Sequence, residues 1–246
     1  MNRYFYSDLD TDGFAISDKV FDPHQMQQLN QLANDLPPFV GMDKNKGWMD
    51  PDGAKDESND WAYYWSITPS DNSYINETIL PHLSEICDSR FGVSDSNTWG
   101  WQMTNRYIMS NYKHDYPVYP HFDAPYLWPQ KPEVQMAKYL PPGVLSLTFM
   151  IPLVDFTKIN GATGFVPGTH KYLYDTADWD NSKKYLQTFF NDNVVQPSVP
   201  LGSFSCFYGN CMHSVMPNTI DSVRRGIIFR AIRQDALDDM NKLGLG

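Results

Sequence analysis

Basic residues are few in this chain of 246 amino acids. It carries 19 lysines and arginines against 29 aspartates and glutamates, for a formal net charge of -10. The only basic doublets are "KK" at 183–184 and "RR" at 224–225. A nucleic-acid-binding protein needs lysines and arginines to neutralise phosphates, so we expect no nucleic-acid partner. An acidic surface favours solubility but identifies no partner by itself.

Cysteines and long hydrophobic runs are also scarce. The cysteines are Cys87, Cys206 and Cys211, an odd number that predicts no disulfide framework, and the last two are not at a useful zinc spacing. Idle or buried thiols in a reducing compartment are the expectation, which favours a cytoplasmic protein. No apolar stretch approaches the roughly 18 residues needed to span a bilayer. The first residues also lack the basic start and apolar run of a signal peptide, so we expect no membrane association.

Length and composition predict one folded domain. Hydrophobic residues make up 41% of the chain and aromatic residues 15%, which is enough for a large core. All-β domains of this length often remain undivided. We expect a helical N-terminal part with a lid loop (1–98), a β core (99–233) and a C-terminal tail (234–246).

Two helices are predicted in the N-terminal part. Residues 22–36 carry an apolar stripe at helical spacing with Asp22 as the N-cap, and a second helix is predicted around 76–91. A short strand is predicted within 10–21. The polar, turn-rich residues 41–60 predict a loop, which we interpret as part of a lid.

From Trp99 onward the sequence has the texture of a β protein. Short runs rich in aromatic and β-branched residues, such as "GVLSLTFMIPLVDF" and "RRGIIFRAIR", are separated by Gly, Pro and Asn. This pattern is typical of an all-β sandwich or barrel rather than of alternating βαβ units. We expect residues 172–192 to interrupt the strands with a loop and one helix. We expect residues 124–144 to determine which substrate is bound.

The stretch "YPHFDAPYLW" (119–128) contains the first candidate metal ligands. On a strand, residues two apart point to the same face, so the side chains of His121 and Asp123 would converge. An isolated H-x-D is more often a core histidine and a turn aspartate. His213, which follows a predicted strand at 199–208, offers a third ligand. Two histidines and one carboxylate form the facial triad of non-haem Fe(II) oxygenases, although zinc would accept the same ligands.

The arginine doublet suggests what else this site binds. Arg224 lies eleven residues after His213, on the next predicted strand. A guanidinium can grip a carboxylate with two parallel hydrogen bonds. An iron site with such an arginine suits 2-oxoglutarate, whose 2-oxoacid end would chelate the metal while its distal carboxylate meets the arginine. Strand alternation places Arg224 and Arg225 on opposite faces, but alternation alone leaves open which of them points inward.

These segments together resemble a known family. "INGATGFVPGTHKY" (159–172), preceded by "IPLVD" and followed by the spaced His, Pro-Asn and Arg-Arg of residues 213–225, is similar to the signature of the phytanoyl-CoA dioxygenase-like family of Fe(II)/2-oxoglutarate-dependent oxygenases. The resemblance covers roughly residues 100–233. It implies a mostly β fold, a double-stranded β-helix (a cupin-like jelly-roll) with the N-terminal helices packed on it.

The resemblance also implies the cofactors and the residues that hold them. It makes His121, Asp123 and His213 the catalytic iron ligands and selects Arg224 as the 2-oxoglutarate anchor. Fe(II), 2-oxoglutarate and O2 would then be used to oxidise a small-molecule substrate, with succinate and CO2 released. Halogenating relatives replace the carboxylate ligand with a small residue, so Asp123 favours hydroxylation of a C–H bond, with desaturation and ring closure as the alternative outcomes.

Three further residues are assigned roles, two of them through resemblance. "NYKHDYPVYPHFD" is similar to the segment before the metal ligands of prolyl hydroxylases, which suggests that Tyr112 contacts 2-oxoglutarate. Thr148, on a predicted core strand, is another candidate for cosubstrate binding. His170 belongs to a surface turn after "PG" in the resembled family, and we expect it to have a structural role.

Two other functions remain open at the level of sequence. A zinc-dependent, cupin-like hydrolase or isomerase would use the triad and ignore Arg224. A non-catalytic β-sandwich binding protein would use neither. We expect no obligatory protein partner in any of the three cases.

Overall fold

A seven-stranded antiparallel sheet forms the centre of the protein. The computed structural model describes residues 3–35, 40–43, 60–66, 73–92, 100–113, 120–123, 145–171 and 179–242. The strands are β1 Phe14–Ile16, β2 Val40–Asp43, β3 Asp60–Ser66, β4 Trp101–Asn111, β5 Ser146–Pro152, β6 Gly164–Phe165, β7 Ser205–Tyr208, β8 His213–Ser214 and β9 Arg224–Arg233. The strand order in the large sheet is β1-β7-β5-β9-β4-β3-β2, and a second sheet pairs β6 with β8.

Helices precede, interrupt and follow the strands. They are α1 Arg3–Asp12, α2 Pro23–Asp35, α3 Leu80–Phe91, α4 Trp179–Asn193 and α5 Gln234–Lys242, with a π-helical turn Ile75–Ile79 before α3 and a 3-10 turn Thr169–Lys171 before α4. The predicted helices at 22–36 and 76–91 and the helix within 172–192 are therefore confirmed. The tail expected at 234–246 begins with α5.

The sequence explains why α2 begins where it does. The Gln25 N–H donates to Asp22 Oδ1 and the Asp22 N–H donates to Gln25 Oε1, both at 2.8 Å. This reciprocal capping box satisfies two backbone donors that the first helical turn would otherwise leave unpaired. The helix buries Leu29 and Ala33 in the main hydrophobic cluster.

One face of the large sheet is covered by the N-terminal helices. Phe149 of β5 and Phe229 of β9 pair directly across the strands, and both are fully buried. The ring of Phe149 packs 6.1 Å from that of Phe204, which in turn packs 5.8 Å from Phe5 of α1. Aromatic side chains on this face therefore anchor the helices to the sheet.

The short strand predicted within residues 10–21 is present as β1, but the helix α1 that precedes it was not predicted. The chain is helical to Asp12, and β1 extends only from Phe14 to Ile16. Phe5 and Leu9 of α1 are buried, and the Gly13 N–H closes the helix on the Leu9 carbonyl. Packing of these two apolar residues thus determines the helix, although its sequence has weak helix propensity.

The second sheet covers the opposite face of the large one. Phe165 of β6 packs 5.1 Å from Phe207 of β7, and His213 of β8 packs 4.6 Å from the same ring. Even-numbered residues of β9 and β5 point to this side, as the pairs Thr148–Arg230 and Met150–Ile228 show. We call this side of the large sheet the inner face.

Some predictions fall largely outside the described residues. Of the loop predicted at 41–60, residues 41–43 lie in β2 and residue 60 begins β3, while 44–59 are not described. Residues 124–144 are also outside the description. In the part of the chain that is described, no helix combines the length and apolar character needed to cross a membrane.

Candidate metal and cosubstrate site

His121, Asp123 and His213 come together on the inner face. Each offers a ligand atom, and these atoms lie within 4.8 Å of one another. Asp123 Oδ1 is 3.9 Å from His121 Nε2, and Asp123 Oδ2 is 3.6 Å from His213 Nε2. The backbones of the two histidines exchange hydrogen bonds of 2.9 and 3.0 Å. Across the described ranges, no other three His, Cys, Asp or Glu side chains form such a group.

His213 is held in the protonation state that a metal requires. Its Nδ1 lies 2.9 Å from the Cys211 carbonyl, which can only accept, so Nδ1 carries the proton and donates it. Nε2 therefore presents its lone pair toward Asp123. Burial and the neighbouring His121 lower the pKa of His213 to about 4, which keeps the ring neutral at physiological pH.

Asp123 is fixed by two side chains of the large sheet. Thr148 donates its hydroxyl hydrogen to Oδ2 at 3.1 Å, and Arg230 Nη2 lies 2.6 Å from Oδ1. Burial by itself would raise the pKa of the carboxyl. Arg230, His213 and His121 outweigh burial and hold the pKa well below its usual range. The carboxylate is therefore ionised and oriented, and the donor set as a whole fits a divalent iron ion.

The "VPGT" turn fixes the backbone beside His213. The Thr169 hydroxyl donates to the Val166 carbonyl at 2.7 Å and accepts the Met212 N–H at 2.8 Å. The Val166 N–H donates to the Met212 carbonyl at 3.0 Å. Gly168 supplies the positive φ of 76° that this turn needs. This part of the signature thus positions a metal-ligand candidate without contacting a metal.

A first prediction concerns this turn. Thr169→Ala leaves the buried Met212 N–H without its acceptor, which should lower the free energy of unfolding by about 1–3 kcal/mol. Displacement of His213 should also weaken Mn(II) binding about tenfold. Thr169→Ser retains the hydroxyl and is the matched control. Denaturant titration and calorimetry test both effects, and equal Mn(II) affinity in the two variants would contradict the positioning role.

His170 lies apart from the triad. Its Nε2 is 3.2 Å from the Asp10 carbonyl and its ring packs 5.3 Å from that of Tyr208, while Asn210 Nδ2 donates to its carbonyl at 2.7 Å. These contacts join the turn to α1 and β7, in line with a structural role.

Arg224 is fully buried at the start of β9. Its Nη1 donates to the Gly161 carbonyl, its Nη2 donates to Asn111 Oδ1 at 3.2 Å, and its guanidinium lies 4.7 Å above the ring centre of Phe156. Arg224 and Arg230 are an even number of residues apart on one strand, so both point to the inner face.

The "ING" part of the signature provides the carbonyl for Arg224. Asn160 closes the loop by accepting the Thr157 N–H at 2.8 Å and donating to the Asp155 carbonyl at 2.7 Å. Gly161 follows with a φ of 79°, and a Cβ there would collide with the Met216 carbonyl. Only glycine combines that backbone angle with this close approach.

Arg225 points away from the inner face. Its Nε donates to Ser110 Oγ at 3.0 Å and its Nη1 donates to Asn34 Oδ1 of α2. Tyr112 is half-buried and packs against the main hydrophobic cluster. Of the residues chosen from sequence, Thr148 therefore joins the triad, and Arg224 lies farther along the same face.

The sequence profile of the phytanoyl-CoA dioxygenase (PhyH) family matches residues 9–226. The chain belongs to the phytanoyl-CoA dioxygenase family. The group formed by His121, Asp123 and His213 is compatible with the metal site of a dioxygenase. A curated relative, "Dioxygenase trt7" of Aspergillus terreus (strain NIH 2624 / FGSC A1156), is 34% identical over 83 residues. That match covers 34% of this chain and about a quarter, 26%, of the relative.

Solved structures share the fold of this PhyH-family chain. The 2-oxoglutarate-dependent epimerase SnoN from nogalamycin biosynthesis aligns with a TM-score of 0.65 at 13% identity, over 94% of this chain and 82% of its own. HygX from Streptomyces hygroscopicus, solved with nickel, 2-oxoglutarate and hygromycin B, aligns with a TM-score of 0.66 at 14% identity, over 95% and 88%. The carbocyclase SnoK aligns with a TM-score of 0.63 at 15% identity, over 95% and 84%.

Arg230 is the site residue that sequence reasoning missed in this PhyH-family chain. Alternation from Arg224 places it on the inner face, and that signal was present in "RRGIIFRAIR". Its contact with Asp123 depends on β9 pairing with β5 so that Arg230 lies opposite Thr148. Strand register is a tertiary property that the local sequence does not contain.

Proposed function

We propose that this protein is an Fe(II)- and 2-oxoglutarate-dependent oxygenase that hydroxylates a C–H bond of a small-molecule substrate. One oxygen atom of O2 enters the new hydroxyl group and the other enters succinate, while C1 of 2-oxoglutarate leaves as CO2. The substrate, 2-oxoglutarate and O2 thus give the alcohol, succinate and CO2.

The triad is the proposed iron site. His121, Asp123 and His213 would bind the metal on one side and leave the remaining positions for 2-oxoglutarate and O2. Bound iron would supply the activation of O2, and the four electrons that reduce O2 would come, two each, from the oxidative decarboxylation of 2-oxoglutarate and from the C–H bond of the substrate. The chain's own contribution is orientation, because Thr148 and Arg230 fix the carboxylate and the Cys211 carbonyl fixes one imidazole.

The position of Arg224 relative to the triad is the observation that carries the proposal. Arg224 and Arg230 are six residues apart on β9 and point to the same face of the strand. The guanidinium of Arg230 meets Asp123, whereas Arg224 is buried at the far end of the same face. The inner face therefore has a metal-binding end and a cationic end.

The interval between the two ends is mainly apolar. It is formed by Gly226 and Ile228 of β9, with Met109 and Met150 paired beside them on the neighbouring strands. Tyr107 also lies opposite Ile228, and burial raises its pKa to about 12, so the phenol stays neutral. A dicarboxylic oxoacid with a methylene middle is complementary to such a surface.

Within this proposal Arg224 binds the distal carboxylate of 2-oxoglutarate with two hydrogen bonds. Thr148, expected from sequence to bind cosubstrate, acts through Asp123 because its hydroxyl donates to that carboxylate. The contact of Tyr112 with 2-oxoglutarate remains a prediction. Solved structures with this fold include an epimerase and a carbocyclase, so the fold alone does not select the reaction. Hydroxylation is proposed because Asp123 occupies the position that is a small residue in halogenating relatives.

The proposal also covers the fold type, the domain organisation, the cellular location and the substrate class. The two facing sheets would form a double-stranded β-helix, and the chain would be a single catalytic domain. The three cysteines are free and buried, which is compatible with a cytoplasmic location. HygX was solved with hygromycin B bound, and a small molecule is likewise the substrate class proposed here.

Succinate formation tests the proposed function. The purified protein should release succinate from 2-oxoglutarate only with added Fe(II) and O2, and one member of a metabolite library should stimulate that release. The Asp123→Ala protein is the control for metal-independent decarboxylation. A zinc hydrolase or a binding protein would release no succinate, and a library-wide absence of Fe(II)-dependent succinate would overturn the proposal.

A further inference from the structure

The buried side chain of Asn111 has a use that the proposed function does not yet include. Asn111 is the last residue of β4, lies directly opposite Arg224 of β9 and is 1% exposed. Its Oδ1 accepts the hydrogen bond from Arg224 Nη2 at 3.2 Å. Its Nδ2 has no acceptor within reach among the described residues.

The backbone of Asn111 is fixed by its neighbours. Its strand is paired on one side with β9 and on the other with β3. Asn218 Nδ2 donates to the Asn111 carbonyl at 3.1 Å and to the Ser222 carbonyl at 2.8 Å. Asn218 is itself fully buried. The Asn111 side chain is therefore held beside Arg224 on the inner face.

A buried amide donor without an acceptor lowers stability unless a ligand fills the gap. The ligand that provides this acceptor also lies beside the positively charged guanidinium of Arg224. A negatively charged ligand therefore suits the position and a cationic one does not. A carboxylate has four lone-pair sites on two oxygens, more than one guanidinium edge can occupy. The arrangement of one guanidinium and one amide N–H is thus complementary to a carboxylate that receives three hydrogen bonds.

We propose that Asn111 is a second cosubstrate-binding residue, whose Oδ1 orients Arg224 and whose Nδ2 donates to the distal carboxylate of 2-oxoglutarate. The inference rests on the proposed function, because it takes Arg224 as the anchor. Asn111 would then distinguish 2-oxoacids that carry a distal carboxylate from those that do not.

Anaerobic titration of the Fe(II)-loaded protein tests this role without turnover. The visible charge-transfer absorption that a chelating 2-oxoacid produces on Fe(II) reports binding, and 2-oxoglutarate is compared with pyruvate, which lacks the distal carboxylate. Asn111→Ala should raise the dissociation constant of 2-oxoglutarate about tenfold through loss of a hydrogen bond to a charged group. The dissociation constant of pyruvate should change by no more than about threefold, because pyruvate has no distal carboxylate to accept a hydrogen bond from Asn111.

Asn111→Asp sharpens the test. It retains an acceptor for Arg224 but replaces the donor with an anionic oxygen that repels the distal carboxylate. We expect the 2-oxoglutarate constant to rise more than about hundredfold, again with little change for pyruvate. Ser110→Ala is the matched control, since Ser110 is the buried neighbour on the opposite face and contacts Arg225.

The outcomes separate this inference from the function on which it rests. If both Asn111 variants bind 2-oxoglutarate like the unmodified protein while Arg224→Ala does not, the role of Asn111 is overturned and the anchor remains. An equal loss for pyruvate and 2-oxoglutarate would also overturn it, because a general structural defect would then be the cause. If Arg224→Ala has no effect either, the proposed anchor itself fails.

Discussion

His213→Ala should reduce the affinity for Fe(II) or Mn(II) by more than about a hundredfold, because loss of a ligand must exceed the 10–100-fold that loss of a supporting residue costs. His121→Ala and Asp123→Ala should do the same. The readout is anaerobic calorimetric titration of the metal. His170→Ala is the control and should bind metal normally, since its ring contacts Asp10 and Tyr208 rather than the triad.

Asp123→Ala should differ from the two histidine variants in the metal-free protein. It leaves the guanidinium of Arg230 without the carboxylate that it contacts at 2.6 Å. Loss of one partner of a buried ion pair costs about 3–5 kcal/mol, and the partial exposure of Arg230 places this pair near the lower value. His213→Ala removes a neutral ring and should lower stability less. Thermal unfolding of the apoproteins measures this, and equal stability of all three would contradict the role given to Arg230.

Arg224→Ala should raise the apparent constant for 2-oxoglutarate by about a hundredfold or more. An unpaired buried carboxylate costs about 3–5 kcal/mol, and ~1.4 kcal/mol corresponds to a factor of ten. Arg224→Lys should recover only part of the affinity, because an ammonium keeps the charge but not the planar fork. Succinate formation against 2-oxoglutarate concentration gives the constant, and Mn(II) titration should show metal binding retained.

Arg225→Ala is the matched control for this series. Arg225 is the sequence neighbour of Arg224, but it contacts Ser110 and Asn34 on the other face of the strand. Its removal should leave the 2-oxoglutarate constant within about threefold, as for a partly exposed polar contact. A larger effect in Arg225→Ala than in Arg224→Ala would show that Arg225, and not Arg224, binds the distal carboxylate.

The three residues that the sequence analysis grouped as candidate metal ligands lie together in the structure, whereas the roles of the side chains that support them were not predicted. The H-x-D spacing alone is more often structural, and it was recognisable only in combination with His213, the Gly/Pro turn and the spaced arginine. The helix at 22–36 was recognisable because cap and apolar stripe agree locally. His121 and Asp123 converge without lying on a regular strand, although strand alternation was the reason for pairing them. His121 forms a single β-bridge with His213, and Asp123 lies two residues farther along the chain.

What the sequence could not provide depends on contacts between distant segments. Helix α1 is stabilised by burial of Phe5 and Leu9 rather than by its own propensity. The roles of Gly161 and Thr169 were visible only as a family signature. Their physical basis, a carbonyl placed on Arg224 and a hydroxyl placed between two backbone groups, appears once the loops are folded against β9 and β8.

The pairing of β9 with two neighbouring strands bears on how the protein would discriminate 2-oxoglutarate from 2-oxoacids with a longer or shorter carbon chain. β4 pairs with β9 from Arg224 onward and β5 pairs with it from Gly226 onward, so this part of the strand cannot lengthen or shorten to follow a ligand. A methyl group at Gly226 would lie 2.6 Å from the Phe156 ring that covers Arg224, which leaves no slack at the cationic end either. Under the proposed binding of 2-oxoglutarate, an oxoacid with one methylene more or fewer would have to be accommodated by side-chain rotamers alone. Chain-length selectivity would then be a property of the hydrogen-bonded backbone.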